Sequence, residues 1–294
     1  MTTKRPVAPR IPTLNLVGAG RVGQTLARLW HVQGTFAVQD VLTTTLASTQ
    51  AAIGGIGAGQ AVSHLRALRP ADVWMLAVPD AQVAAVAQAL ADEHPDAPPA
   101  IAFHCSGALG ASALAPLAAR GWLVASAHCI LSFASVPAAL AQFPGTPCAL
   151  EGDPVACATL RPALGAIGAQ CFDVASADKL LYHAAAVFAT NFLPVLQAIA
   201  EDLWQSTGVP TALIPALRAS LLRNAVANIT ALGPQAALTG PAARGDTLAI
   251  ARQAQAVRAW DPQSGAAYEA LSALALRLAG HTGHTGDNAA PAAS

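Results

Sequence analysis

Residues 14–23 read Leu-Asn-Leu-Val-Gly-Ala-Gly-Arg-Val-Gly, and this stretch decides the fold of the N-terminal half of the chain. A short apolar run is followed by three glycines in GxGxxG spacing and then by the amphipathic stretch 24–30. In such a unit the first glycine permits a tight turn, the second lets the backbone approach a pyrophosphate, and the third lets the helix pack on the strand. We therefore predict a strand, turn and helix that bind a dinucleotide at the helix N-terminus. The predicted cofactor-binding residues of this turn are Gly18, Gly20, Arg21, Val22 and Gly23.

The end of the second predicted strand indicates which nucleotide would bind. A site that prefers NAD carries Asp or Glu there, about 20 residues after the glycines, to bind the ribose hydroxyls. Here the strand end is followed by Thr43 and Thr44, while Asp40 stands at the strand start. Small hydroxyl side chains and Arg21 can accommodate a 2′-phosphate, which favours NADP, with NAD as the alternative. The same residues are also compatible with a glycine-rich turn that has no ligand and with a solvated surface arginine.

The composition excludes several classes of protein. The chain has 294 residues, of which 54% are hydrophobic and 11% charged, and its 16 basic residues balance its 16 acidic ones. Such a chain folds, and a net charge of zero argues against nucleic acid as a partner. The five cysteines are not closely paired and residues 1–12 lack an apolar signal segment, so we expect a cytoplasmic protein with reduced thiols. The apolar stretch 184–200 is interrupted by polar residues and proline, so we expect a buried helix and no membrane segment.

The order of the apolar segments predicts two domains. From residue 13 to residue 174, short apolar runs alternate with Ala-rich amphipathic stretches, which predicts a Rossmann-like, mostly parallel, doubly wound α/β sheet. After residue 175, long helical stretches are separated by Gly/Pro breakers, which predicts an all-α domain. We therefore predict a dinucleotide-binding domain at residues 11–174, an all-α substrate and dimerisation domain at residues 175–280, and a flexible tail at residues 281–294.

Polar residues follow three predicted strands at their carboxyl ends, where open α/β sheets bind ligands. Pro79 follows the run WMLAV and is a predicted cofactor contact, while the adjacent Asp80 is expected to cap the next helix. His104 and Ser106 follow the run IAF, and His128 follows VASA. These last three residues are candidates for the wall of an active-site cleft.

The dipeptides at positions 104–105 and 128–129 are both His-Cys, which raises the question of zinc. Adjacent side chains on a strand point to opposite faces, so each dipeptide easily offers only one ligand. We expect no metal site.

The first helix after residue 175 carries polar residues on an otherwise apolar face. Lys179 and His183 are four residues apart, and Asn191 falls two turns further along, near the same stripe. Burying such side chains is costly unless they meet partners or a ligand, so we expect them in a cleft between the two domains. Lys179 is the first candidate for proton transfer and His183 the second. The predicted catalytic residues are Lys179, His183, Asn191, His104, Ser106 and His128.

The loop 237–246 reads Ala-Leu-Thr-Gly-Pro-Ala-Ala-Arg-Gly-Asp and is a candidate substrate-binding segment. Arg244 can bind a carboxylate through two parallel hydrogen bonds, and Thr239 and Asp246 complete the predicted substrate-binding residues. The structural alternative is that Thr239 caps the helix that follows and Asp246 pairs with Arg244.

Taken together, the motifs GAGRVG, AVPD, HCSG with the later His128, KLLYHAAAVFATNF and ALTGPAARGD closely resemble a family of bacterial Rossmann-like proteins with a C-terminal domain of unknown function. That family is similar in architecture to pyrroline-5-carboxylate reductases, and more distantly to ketopantoate reductases and β-hydroxyacid dehydrogenases. The resemblance covers residues 14–278. It implies an NAD(P)-dependent reductase that is usually dimeric through its helical domain.

The resemblance also bears on individual positions. Lys179 looks like the lysine that β-hydroxyacid dehydrogenases place on the first interdomain helix, but His183 stands where those enzymes carry Asn. Cys129 stands where His-Pro is common, and Thr44 where relatives often carry an Arg for the 2′-phosphate.

The leading hypothesis is an oxidoreductase that transfers a hydride between a nicotinamide and the carbonyl or imine carbon of a small carboxylated substrate. The alternative is a non-catalytic dinucleotide-binding sensor or scaffold, because the fold alone does not separate the two. The apolar positions between residues 188 and 199 predict a homodimer through the helical domain.

Overall fold

The computed structural model describes residues 10–281, and the chain divides into two compact units between Asn191 and Phe192. This division falls later than the predicted boundary after residue 174. The reason is that the helix Lys179–Ala186 belongs to the first unit, to which the buried Lys179 side chain binds through hydrogen bonds to Ser106 and Ser126. Of the predicted tail, residues 282–294 lie outside the described part of the chain.

Within the described residues, eight strands of the first unit form one sheet in the order β3-β2-β1-β4-β5-β6-β7-β8. Neighbouring strands are parallel except β6 and β7, which are antiparallel. The predicted Rossmann-like, mostly parallel sheet is confirmed. The strands are β1 (Thr13–Val17), β2 (Ala37–Leu42), β3 (Gln60–Ala61), β4 (Val73–Leu76), β5 (Ile101–His104), β6 (Leu123–Cys129), β7 (Pro147–Gly152) and β8 (Gln170–Asp173).

The helices connect these strands and then form the second unit. Those of the first unit are α1 (Arg21–Gln33), α2 (Leu46–Ile56), α3 (Asp80–Glu93), α4 (Ala115–Ala118), α5 (Val136–Gln142), α6 (Pro154–Ala166) and α7 (Lys179–Ala186), followed by a π-helical turn (Val187–Asn191). Those of the second unit are α8 (Phe192–Ser206), α9 (Ile214–Ala237), α10 (Gly240–Ala243), α11 (Thr247–Trp260) and α12 (Pro262–Leu278). Every described element after β8 is helical, as predicted.

The sheet is covered on both faces, as the side chains of β1 show: successive residues belong to two different apolar clusters. Leu16 belongs to a cluster that includes Trp30 of α1, whereas the next residue, Val17, belongs to a cluster that includes Trp74 of β4 and Leu90 of α3. Successive residues of a strand point to opposite faces, so the two clusters lie on opposite sides of the sheet. This burial on both faces explains why the strands read as continuous apolar runs.

The helical stretch Ser176–Ser206 is, within the described chain, the one helix long and apolar enough by length and composition to cross a membrane, with a mean hydropathy of 1.4. None of its most apolar window is buried in this chain, so the expected buried helix is wrong. One such helix is weak evidence for a membrane span. In a single copy of the chain the apolar side chains of this helix are therefore exposed.

Candidate active site

A cavity of about 660 Å³ opens at the carboxyl ends of β1, β2 and β4, and we call it the cofactor cavity. It is lined by the glycine-rich turn, by the segment after β2, and by the start of α3. Five of the predicted cofactor-binding residues line it: Gly18, Gly20, Thr43, Thr44 and Pro79.

The three glycines of the turn occupy different surroundings. Gly18 has φ +81°, and a Cβ there would lie 2.6 Å from the carbonyl oxygen of Ala77. A Cβ on Gly23 would lie 2.9 Å from the oxygen of Gly18, because α1 packs directly on the turn. A Cβ on Gly20 would meet no described atom within 4 Å. Gly18 and Gly23 therefore hold the turn together, whereas Gly20 leaves open space beside the backbone, where a pyrophosphate fits.

The remaining predicted residues of the turn lie outside the cavity lining. Arg21 donates from Nη1 to the carbonyl oxygen of Phe133 at 3.1 Å, and Val22 packs against the apolar core. The Arg21 side chain is therefore engaged away from the segment after β2. Gly23 is buried between helix and strand.

The segment after β2 presents hydroxyl groups in a fixed arrangement. Thr43 Oγ1 is hydrogen-bonded to Ser48 Oγ and, at 2.9 Å, to Thr49 Oγ1. Thr45 and Ser48 cap the start of α2 reciprocally. Ser48 also lines the cofactor cavity and was missed by the sequence analysis, although its position in a Thr-x-x-Ser capping pattern was visible.

Asp40 is excluded as a ribose ligand. Its carboxylate is fully buried and accepts hydrogen bonds from the Arg69 guanidinium at 2.6 Å and from the Arg69 backbone N–H at 2.8 Å. Asp40 therefore ties β2 to the loop before β4. It lies within β2 and not, as was predicted, at the strand start, and its salt bridge with Arg69 keeps it from the cofactor cavity.

A second cavity of about 170 Å³ lies at the end of β6, and we call it the histidine cavity. His128 of β6, His183 of α7 and Asn191 of the π-helical turn line it, together with Ile130, Leu131, Ser132, Ala186, Ala189 and Thr190. All of these residues belong to the first unit. Three of the predicted catalytic residues are thus brought together.

The two imidazoles of this cavity meet over Gly107. Their ring centroids are 5.5 Å apart, and a Cβ on Gly107 would lie 2.4 Å from His183 Nδ1 and 2.8 Å from His128 Nε2. His128 Nδ1 is hydrogen-bonded to the Tyr182 hydroxyl at 2.8 Å, and Tyr182 was not singled out from the sequence. Burial, reinforced by His183 and Lys179, lowers the pKa of His128 to about 4. His128 is therefore neutral at physiological pH.

His183 differs from its neighbour in having a free nitrogen. Its Nδ1 is buried and, among the residues that the structure describes, has no hydrogen-bond partner. A buried polar atom without a partner is costly unless a ligand or water completes it. Asn191 lies on the same cavity wall, where its Oδ1 accepts a hydrogen bond from Thr190 at 2.8 Å.

Lys179 is on the same helix as His183 but does not line the histidine cavity. The side chain is 1% exposed, and Nζ donates to Ser126 Oγ at 2.6 Å and to the Ser106 carbonyl oxygen at 3.2 Å. Ser126 in turn donates to the buried Glu151 carboxylate at 3.1 Å. Burial lowers the pKa of Lys179, opposed by the carboxylates of Glu151 and Asp80. This network attaches α7 to β6 and β7, and Glu151 was not found from the sequence because β7 reads as an ordinary strand.

His104 and Ser106 hold the loop after β5. His104 is fully buried, accepts the Ser106 N–H at Nδ1 (3.2 Å), and is hydrogen-bonded through Nε2 to the Gly110 carbonyl oxygen (3.0 Å). Burial is the main cause of its lowered pKa. The Ser106 hydroxyl donates to Asp80 at 2.7 Å. Asp80 is the first residue of α3 and binds this loop, so the expectation that it caps the helix is corrected: the residue in the cap position is Pro79.

The candidate substrate residues after residue 237 lie in the second unit. Asp246 caps α11 by accepting a hydrogen bond from the Ala249 N–H at 3.0 Å. Its structural role is therefore that of a helix cap and not that of an ion-pair partner of Arg244. Thr239 precedes α10 without a side-chain cap hydrogen bond. Arg244 is exposed.

Comparison with known proteins agrees with this architecture. Residues 4–129 match a Rossmann-like domain, and residues 146–275 match a domain of unknown function, DUF2520. The chain thus combines a Rossmann-like domain with a C-terminal DUF2520 domain, which confirms the resemblance drawn from its motifs. A search of curated proteins gave no match.

Several solved structures share the fold. Protein TM1727 from Thermotoga maritima is 23% identical, covers 91% of this chain and 98% of its own, and has a TM-score of 0.72. A proposed NADP oxidoreductase, BF3122 from Bacteroides fragilis, is 22% identical with coverages of 90% and 98% and a TM-score of 0.70. A pyrroline-5-carboxylate reductase from Coxiella burnetii is 13% identical with coverages of 92% and 99% and a TM-score of 0.57. At these identities the likeness establishes the fold.

Proposed function

We propose that this protein is an NAD(P)-dependent oxidoreductase that transfers a hydride between a nicotinamide and the carbonyl or imine carbon of a small substrate. The observation that carries the proposal is the cofactor cavity, in which Gly20 leaves open space beside the N-terminus of α1. The names of structural neighbours, a proposed NADP oxidoreductase and a pyrroline-5-carboxylate reductase among them, support the same class.

The cofactor, when bound, supplies or accepts the hydride, and the protein positions the substrate and manages the proton. The turn at Gly18 and Gly20 and the segment at Thr43 and Thr44 would hold the nucleotide. NADP is the proposed cofactor because no acid follows β2 in the sequence, with NAD as the alternative.

His183 is the proposed proton carrier. Its Nδ1 is unpaired among the described residues, and the side chain lines the histidine cavity. Lys179 was the first candidate from the sequence, but its Nζ is directed to two protein oxygens and the side chain is almost fully buried. We assign Lys179 the role of holding α7 in place. Arg244 stays the proposed partner of a substrate carboxylate.

Cofactor oxidation tests the proposal. Purified protein is mixed with NADPH or NADH and a panel of 2-oxoacids and cyclic imines, and the absorbance of the reduced nicotinamide is followed. Turnover of at least one compound is expected. A protein that binds NADPH but turns over nothing in the panel would instead support the dinucleotide sensor.

The variant Gly20→Val ties activity to the cofactor cavity. Its Cβ branches would fill the space left for the pyrophosphate, so we expect NADPH to bind about 100-fold more weakly through loss of charge-assisted hydrogen bonds. Gly54→Val is the matched control, since a Cβ on this α2 glycine also meets no described atom within 4 Å and Gly54 does not line the cavity. Equal affinity of Gly20→Val and the wild type in a fluorescence titration would place the cofactor elsewhere.

We further propose a cytoplasmic homodimer that forms through the helical domain. Large apolar side chains on α8 are exposed in the single chain, including Val195 at 54% and Leu196 at 39%. Exposed apolar surface of this extent commonly meets another chain. Light scattering at micromolar concentration should give the mass of a dimer, and a monomer would remove this proposal.

A further inference from the structure

Tyr182 contacts His128 of the histidine cavity but does not line the cavity itself. Its hydroxyl lies 2.8 Å from His128 Nδ1, and the two rings meet edge to face with centroids 5.6 Å apart. Phe172 of β8 also packs against the phenol ring, with centroids 6.1 Å apart. The phenol is thus held in place by contacts with two rings.

The chemistry of the two groups decides which one donates this hydrogen bond. Tyrosine carries an acidic O–H, whereas a neutral imidazole has one basic nitrogen and one much less acidic N–H. Burial keeps both groups neutral: it lowers the pKa of His128 and raises that of Tyr182. The stronger donor therefore meets the stronger acceptor, and the phenol O–H points to His128 Nδ1.

We propose that Tyr182 is a positioning residue that fixes the proton of His128 on Nε2 and so makes His128 a hydrogen-bond donor to the oxygen of a carbonyl substrate. This inference rests on the proposed function and narrows its substrate from carbonyl or imine to carbonyl.

The position of His128 Nε2 supports this role. This nitrogen lies beside Gly107, close to the unpaired Nδ1 of His183, where the absence of a Cβ on Gly107 makes room for both rings. A neutral Nε2–H can polarise a carbonyl, whereas a protonated imine presents an N–H of its own and needs an acceptor. When the bound nicotinamide supplies a hydride to the carbonyl carbon, the carbonyl oxygen would accept a proton from an N–H of His183. The substrate would then leave as an alcohol, and His183 would regain its proton from solvent.

The charged and titratable groups around His128 come from several elements. His183 and Lys179 of α7 disfavour a second proton on His128, and Asp80 of α3 favours it with a smaller effect. Tyr182 is the group that contacts Nδ1 directly. Removing its hydroxyl therefore changes the tautomer of a neutral ring.

The first test reads the tautomer without substrate or cofactor. Tyr182→Phe keeps the ring that packs against His128 and Phe172. Tyr268→Phe is the matched control in the second unit, where the Tyr268 hydroxyl donates a hydrogen bond to Gln253. Nitrogen-15 NMR of the imidazoles, with His128 assigned through His128→Gln, should show the Nε2–H tautomer in the wild type and in Tyr268→Phe, and a mixture of tautomers in Tyr182→Phe. A wild-type proton on Nδ1, or the same tautomer in all three proteins, would overturn the proposal.

The second test uses turnover with any carbonyl compound or imine that the panel identifies. We expect Tyr182→Phe to lower kcat about tenfold with little change in KM, since one oriented hydrogen bond is worth about 1.4 kcal/mol. Reduction of imines but of no carbonyl compound would overturn the substrate assignment. A complete lack of turnover, with the tautomer as proposed, would contradict the proposed function while the role of Tyr182 in fixing the proton stood.

Discussion

The cofactor cavity and the histidine cavity belong to the same compact unit but are assembled in different ways. The first is built around three consecutive residues, Gly18, Ala19 and Gly20, whose backbone leaves open space in the cavity. The second combines His128 at the end of β6 with His183 and Asn191, more than fifty positions later in the sequence. A backbone site survives many changes of side chain, whereas a site built from distant side chains depends on whatever holds the segments together. Here that support is the buried Lys179 network.

Substitution of Lys179 should break the histidine cavity and leave the cofactor cavity intact. Lys179→Met removes the cation near the Glu151 carboxylate and two hydrogen bonds, so we expect the free energy of unfolding to fall by about 3 kcal/mol. Urea unfolding measures this loss, and NADPH affinity should be unchanged.

The neighbouring residue provides the control for that experiment. Leu180 is 73% exposed on the same helix, so Leu180→Met should leave stability close to that of the wild type. If Lys179→Met is as stable as the wild type but inactive, Lys179 acts in the chemistry, as first predicted from the sequence.

Acid should also destabilise the protein through the histidine cavity, because His128 is buried there in its neutral form. The pKa of His128 falls from 6.5 to about 4 on folding. Between these two pH values His128 is protonated in the unfolded chain and neutral in the folded chain. The free energy of unfolding is therefore independent of His128 protonation above pH 6.5. It falls by about 3 kcal/mol as the pH drops from 6.5 to about 4.

Denaturant unfolding across this pH range measures the effect. His128→Gln should flatten the dependence, whereas the exposed His31→Gln should keep the wild-type slope. Parallel curves for the wild type and His128→Gln would show that His128 does not carry the acid sensitivity.

The smallest effect is expected at the cofactor cavity. Thr44 lines it and is exposed, so Thr44→Arg adds a cation beside the segment after β2 and should strengthen NADPH binding about tenfold while changing NADH binding little. Thr44→Gln separates size from charge, and titration of both cofactors measures the ratio. An equal change for the two cofactors would mean that the 2′-phosphate lies elsewhere.

The sequence by itself determined the Rossmann-like sheet, the helical C-terminal part and the glycine turn, because each rests on a local pattern of neighbouring residues. It also identified His128, His183 and Asn191 as candidate site residues, from their places at a strand end and on one helix face, and these three residues line one cavity. The expected burial of the apolar helix was wrong, because an apolar pattern does not say which surface covers it.

Only the tertiary structure decided what the polar residues contact. Lys179 and His183 share a helix face in the sequence, yet one is inserted among Ser106, Ser126 and Glu151 and the other lines a cavity. Tyr182 could not be found from local pattern, since its partner, His128, lies on a strand more than fifty residues earlier. Hydrogen bonds and burial between segments distant in sequence set these roles, and no local period or spacing encodes them.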